Sequence, residues 1–170
     1  DKLGQKYLLE GANAPLVPSY IFFDKREALN WADSTSFPKV FKLRGGAGSA
    51  NVKLVRTKVQ ARKMIHKAFG RGFRSYYAWG SINERFGKWR QGKTDFFDVI
   101  KGFVRLFYPP RYSKVSGREF GYVYFQDFIP QNDSDTRIII IRDKAFALKR
   151  YVRKNDFRAS GSGNFSYAKE

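Results

Sequence analysis

Pro38-Lys-Val-Phe-Lys42-Leu-Arg-Gly45-Gly46-Ala47-Gly48-Ser49-Ala-Asn51 runs as an apolar strand that ends at a cation and turns through glycines and a serine. Loop amides and a hydroxyl in such a turn can fold over a triphosphate, while the lysine neutralises its charge. Lys42 alternates with Val40 and Phe41, so an inward-facing Lys42 needs a charge partner, and a phosphate supplies one. A mobile hairpin tip has the same composition, and the loop alone does not choose between the two.

Gly87-Lys-Trp-Arg-Gln-Gly92-Lys93-Thr94 also matches the P-loop pattern literally. There Lys93 would reach phosphate oxygens and Thr94 would bind magnesium at a helix N-terminus. Ile138-Ile-Ile-Ile141-Arg142-Asp143 imitates the acidic strand that accompanies such loops. Context opposes both. A P-loop follows a buried parallel strand, whereas Ser81-Ile-Asn-Glu-Arg-Phe86 is mostly polar, and Asp143 falls in a two-strand turn. The favoured reading makes Thr94 a helix N-cap, with Gly92 and Lys93 in a surface loop.

Composition narrows the chemistry. The 170 residues contain no cysteine and one histidine, His66, which excludes a disulfide framework, a thiolate zinc site and a Cys nucleophile. His66 lies in a basic helix and reads as a surface residue. Lys plus Arg total 33 against 15 Asp plus Glu, a net charge of +18, while 42% hydrophobic and 18% aromatic residues suffice for a folded core. The longest aliphatic run, Ile138 to Ile141, is far too short to span a bilayer, so we expect no membrane span and a cytoplasmic location. A chain opening on Asp1 and closing on Glu170 is expected to be a piece of a longer one.

Stepping along the chain, a short helix is expected around Lys6 to Leu9, then a strand from Tyr20 to Phe23. Asp24 with Glu27 forms a capping box for a helix whose apolar side is Ala28, Leu29 and Ala32. Val40 to Leu43 and Val52 to Val55 form a hairpin around the glycine loop, and Thr57 with Gln60 caps a basic helix ending near Phe69 and Gly70. Asp95 to Phe107 reads as an amphipathic helix with Phe96, Ile100, Phe103 and Phe107 on one face. Strands at Tyr122 to Ile129, Thr136 to Ile141 and Ala145 to Val152 follow, the last two joined by a turn at Arg142 to Lys144. The mixture predicts an α+β fold with an antiparallel sheet and flanking helices.

Taken together, these motifs resemble the ATP-grasp superfamily along nearly the whole chain. Asp1-Lys2-Leu with Gly11-Ala-Asn-Ala-Pro15 is similar to the start of that domain, Lys42 to its second nucleotide lysine, and Gly46, Ala47, Gly48 and Ser49 to its phosphate-covering lid. Gln126-Asp127-Phe128-Ile129 resembles the hinge that binds adenine, with Asp127 where a Glu is usual. Asp135 resembles the acid that approaches the ribose, with Asp133 as a rival, and Arg150 and Arg158 the groups that neutralise the transferring phosphoryl. Ser160 to Gly163 is either part of that segment or a plain loop.

The resemblance implies an ATP-dependent carboxylate–amine ligase that acts through an acyl phosphate, like glutathione-synthetase-like and ribosomal-protein glutamate ligases, with ATP as cofactor. It implies a small subdomain over 1–130 with an aromatic and basic insertion at about 70–120, and the start of a second α+β subdomain over 131–170. Magnesium is expected only for the complete protein, because nothing after Ser160 matches the family's acid and amide ligands, and this segment is expected to be inactive. Segment 69 to 124 also interleaves arginines with Phe73, Tyr76, Trp79, Trp89 and Tyr108. That mixture suits single-stranded nucleic acid, although packing of the insertion's own core is favoured over that partner.

Overall fold

The computed structural model describes every residue except 46–50, 75–81, 83, 84, 88, 91, 93, 109–116, 154, 155, 161 and 168–170, and it describes 105–107 by backbone only. The chain is α+β, with antiparallel strand pairing throughout its sheets, and divides into two units whose main boundary lies after Asp127. Among the described residues no helix is long and apolar enough to cross a membrane.

The first unit is built on a four-stranded sheet in the order β1-β6-β2-β3. Its strands are β1 (Ser19–Phe22), β2 (Lys39–Lys42), β3 (Val52–Val55) and β6 (Val123–Asp127). β6 arrives late in the chain yet lies between β1 and β2, pairing Tyr20 with Phe125 on one side and Phe41 with Phe125 on the other. The intervening chain leaves through β4 (Phe73–Arg74) and returns through β5 (Arg118–Glu119), which pair Phe73 with Glu119 and Arg74 with Arg118.

Strand alternation separates two faces. Phe41, Val123 and Phe125 lie under helices α2 (Lys25–Ser34) and α3 (Lys58–Ala68), in one core with Ala28, Ala32, Ala61 and Ile65. Trp31 anchors this side, with ring centroids 5.0 Å from Tyr20 and 4.9 Å from Phe125. Both helices begin where the capping boxes place them. Asp24 accepts from the Glu27 N–H at 2.9 Å, and Thr57 accepts from the Gln60 N–H at 3.3 Å. The Gln60 amide reaches back to the Arg56 N–H at 2.8 Å, one residue before the cap.

Two expectations change. Helix α1 covers Lys2–Gly11, longer than the short helix expected around Lys6 to Leu9, because the Asp1 carboxylate caps it by accepting from the Leu3 and Gly4 N–H groups at 2.8 and 2.9 Å. In α4 (Phe96–Phe107) the apolar face read from the sequence is not the buried one: Phe96, Ile100 and Phe103 are exposed, and Val99 is buried. The helix seats on its glycine: a Cβ on Gly102 would lie 3.3 Å from Ile82 Cγ1 and 3.1 Å from Arg85 Cδ. That close approach turns the large side chains of the opposite face outward.

In the second unit, β7 (Ser134–Ile141), β8 (Lys144–Tyr151) and β9 (Phe165–Tyr167) form an antiparallel ladder. Arg142, at φ 55°, and Asp143 make the turn between β7 and β8. Ile138 to Ile141 are all exposed.

Candidate functional site

The second face of the four-stranded sheet carries polar side chains. Tyr122, Tyr124 and Gln126 point to it from β6 and its approach, and Lys42 points to it from β2. Leu3 of α1 packs on Tyr122 and Tyr124 there. This packing sets the first turn of α1 against the end of β2, where the Lys2 N–H donates to the Arg44 carbonyl at 3.2 Å. Lys2 Nζ donates to the Gly45 carbonyl at 2.8 Å.

Two lysines far apart in sequence therefore meet at the mouth of the glycine loop. Burial lowers the Lys42 ammonium below its ordinary value, and the positive charge of Lys2 lowers it further. Burial also lowers Lys2, while Glu119 acts in the opposite direction. Lys42 donates to the Gln126 side-chain oxygen and lies 5.8 Å from the Tyr124 ring centroid, so its described partners are neutral. Gln126 is fixed from behind: its Nε2 donates to Ser19 Oγ at 3.2 Å, and Ser19 donates to the Val17 carbonyl at 2.8 Å. The amide oxygen is thereby turned toward the lysine.

Glu119 and Tyr122 belong to the same corner, and the sequence reading missed both. Tyr122 donates to the nearly buried Glu119 carboxylate and accepts from the Arg44 N–H at 2.8 Å. Burial pushes the Tyr122 phenol upward, against the opposing Arg44 N–H bond. A Cβ on Gly45 would stand 2.8 Å from Glu119 Oε1, so a side chain there would have to displace the Glu119 carboxylate. The only advance signal for Tyr122 was the period-two series Tyr122, Tyr124, Gln126. Glu119 had none, because the β4–β5 pair places it.

Other nominated residues fall elsewhere. The Asp127 side chain lies on the helix-covered face and pairs with Lys39 Nζ at 2.5 Å, and its N–H donates to the Pro18 carbonyl at 2.9 Å. Lys39 is also 5.0 Å from the Tyr20 ring centroid. Both hydrogen-bonding ends of Asp127 are thus engaged in the fold, away from the Lys42 face. Gly46, Ala47, Gly48 and Ser49 lie outside the described residues.

In the second unit the Phe128 ring meets Phe157 edge-on at 6.0 Å, and Ile129 is exposed. Asp135 and Arg150 are cross-strand partners joined fork to fork, with Nε to Oδ1 at 2.6 Å and Nη2 to Oδ2 at 2.8 Å. Arg158 grips Asp156 in the same manner, its closest bond 2.6 Å. Burial alone would raise the Asp156 carboxyl, but the Arg158 bonds and charge hold it below its ordinary value.

The P-loop pattern lacks its framework. Residues 85–87 are helical where a buried strand is required, and Gly92 is a turn at φ 67°. Asp95, not Thr94, occupies the N-cap position of α4, and the Thr94 hydroxyl is buried without a partner among the described residues.

Among the described residues no group of three or more His, Asp or Glu side chains could hold a metal. No protein-family model and no curated protein matches this chain.

Proposed function

We propose that this chain binds ATP on the open face of its four-stranded sheet, as the nucleotide-binding part of an ATP-grasp-type carboxylate–amine ligase. One observation carries the reading: Lys2 and Lys42 converge, half-buried and mutually repelling, at the mouth of a glycine loop. Two desolvated cations held this close disfavour their own charged forms, and a polyphosphate between them reverses that penalty. Lys42 and Lys2 would take the phosphates, with Tyr124 and Gln126 forming the floor beside them. ATP would supply the phosphoryl group for carboxylate activation. The role proposed for the chain itself is nucleotide binding.

The test is calorimetric titration with a non-hydrolysable ATP analogue. Lys42→Ala is expected to weaken binding about 30- to 100-fold, the loss of roughly 2–3 kcal/mol for a charge-assisted contact. Lys93→Ala should leave affinity unchanged. The reverse result would hand the site to the P-loop pattern, and no response to either would remove nucleotide binding from this face.

A further inference from the structure

The helix-covered side of the first unit gathers a second set of cations. Lys53 on β3 stands opposite Phe41, whose ring lies 5.1 Å from that of Phe73. Lys67, in the last turn of α3, covers the Phe73 ring at 4.7 Å. Arg118 reaches back to the Arg71 carbonyl through Nε and to the Gly72 carbonyl through Nη2 at 3.2 Å. In the β4–β5 pair it also stands directly opposite Arg74. Like charges directly opposite on paired strands destabilise the pair.

The contrast with the rest of α3 is instructive. Lys58 and Arg62 meet Asp33, at 3.7 and 2.8 Å. The charges acting on Lys67 are those of Lys53, Arg71 and Arg118, all positive, and they add to burial in lowering it. Beside this cluster Phe120 is 68% exposed. It is held close to the Arg118 anchor, because a Cβ on Gly72 would lie 2.8 Å from Phe120 Cβ. An exposed ring thus sits beside Arg118, a cation whose side chain is already positioned.

We propose that Lys53, Lys67, Arg71, Arg74, Arg118 and Phe120 form a binding surface for single-stranded RNA, with the cations on successive phosphates and Phe120 stacked on a base. Arginine forks match phosphate oxygens bidentately, and an exposed aromatic face accepts any base. A membrane surface suits the patch less well, because interfacial seating buries a whole apolar face and this patch offers one ring. The proposal is independent of nucleotide binding at Lys42, which lies on the opposite face of the sheet.

Fluorescence anisotropy of a labelled oligouridylate, titrated with the whole chain across a range of KCl concentrations, tests it. The logarithm of the binding constant is expected to fall with the logarithm of salt at a slope of about −3.5, five cations at roughly 0.7 per phosphate contact. Replacing two exposed arginines together, Arg71→Gln with Arg74→Gln, should lower affinity at least about tenfold and flatten the slope by about 1.4. Phe120→Ala should weaken binding several-fold with the slope unchanged, the signature of stacking without charge. Lys42→Ala should leave RNA affinity intact. Unaltered melting temperatures confirm that the arginine variants fold. The proposal is overturned if the double arginine variant binds as wild type, if Lys42→Ala removes the RNA affinity, or if anionic phosphatidylserine vesicles are bound and the oligonucleotide is not.

Discussion

Lys2 and Lys42 in the first unit and Arg150 and Arg158 in the second were nominated on the same grounds, as cations at motif positions, yet they sit in opposite electrostatic situations. Each arginine is forked onto a carboxylate of its own unit, Arg150 on Asp135 and Arg158 on Asp156. Lys42 instead meets an amide and a tyrosine ring, and feels the positive charge of Lys2. A cation with its own bidentate acid is already neutralised and geometrically satisfied. A half-buried cation repelled by its neighbour is neither, and its environment improves when an anion arrives. On the proposed reading, motif position picks out candidates, and the local charge balance separates Lys2 and Lys42 from the acid-paired arginines.

The largest expected effect tests that separation directly. The double variant Lys2→Ala, Lys42→Ala should lose at least about 100-fold in ATP-analogue affinity, roughly 2.7 kcal/mol. Arg150→Ala should stay within about twofold, because its fork is occupied by Asp135. A comparable loss with Arg150→Ala would mean that the fork opens for ligand, and the contrast between the units would collapse.

Asp127 gives the next largest effect and concerns stability. Lys39 is 4% exposed, so removing its carboxylate partner leaves a buried ammonium without compensation. Asp127→Ala is expected to cost about 2–3 kcal/mol in chemical denaturation, below the full cost of breaking a buried pair because Asp127 is itself part-exposed. Nucleotide affinity of the folded variant should be unchanged. Lost affinity at unchanged stability would instead return Asp127 to a ligand role.

Features set by neighbouring residues were the legible ones. The Asp24 and Thr57 caps were readable because a cap and its acceptor geometry lie within one turn of chain. Lys42 was readable only as a cation closing an apolar strand; its face follows from the β2–β6 register, which pairs it with Tyr124. The β2–β3 hairpin followed from two short apolar runs around glycines. The α4 face was misread because Phe96, Val99, Ile100 and Phe103 offer more than one apolar stripe, and Gly102 against Ile82 selects among them. Glu119 was invisible because its place depends on pairing with Phe73, across a long stretch of chain. The acids that occupy Arg150 and Arg158 were each in plain view, but pairing Asp135 with Arg150 needs the β7–β8 register.

The smallest effect is a pH dependence whose sign follows from the lysine environments. Lys42, Lys2 and Lys67 all have values lowered from 10.5, chiefly by burial. Their folded forms give up protons before the unfolded chain does, so the unfolded state binds more protons between the lowered values and 10.5, and stability rises with pH across that window. Tyr122 acts in the opposite direction. Its phenol is raised from 10.0 by burial, so above pH 10 the unfolded chain ionises first and stability falls. Denaturation midpoints should therefore rise through the mildly alkaline range and turn down beyond it. Lys42→Met should be more stable than wild type at neutral pH, with an advantage that shrinks as pH approaches 10.5. ATP should produce the complementary signal: neutralising the lysine pair raises their values, so binding at a pH between the lowered values and 10.5 takes up protons, read as a buffer-dependent enthalpy. Arg150→Ala should leave that uptake untouched, because the uptake is assigned to the lysine pair. Uptake that persisted in the double variant Lys2→Met, Lys42→Met, or vanished in Arg150→Ala, would place the ligand-responsive charge outside the lysine pair and undo the contrast between the two units.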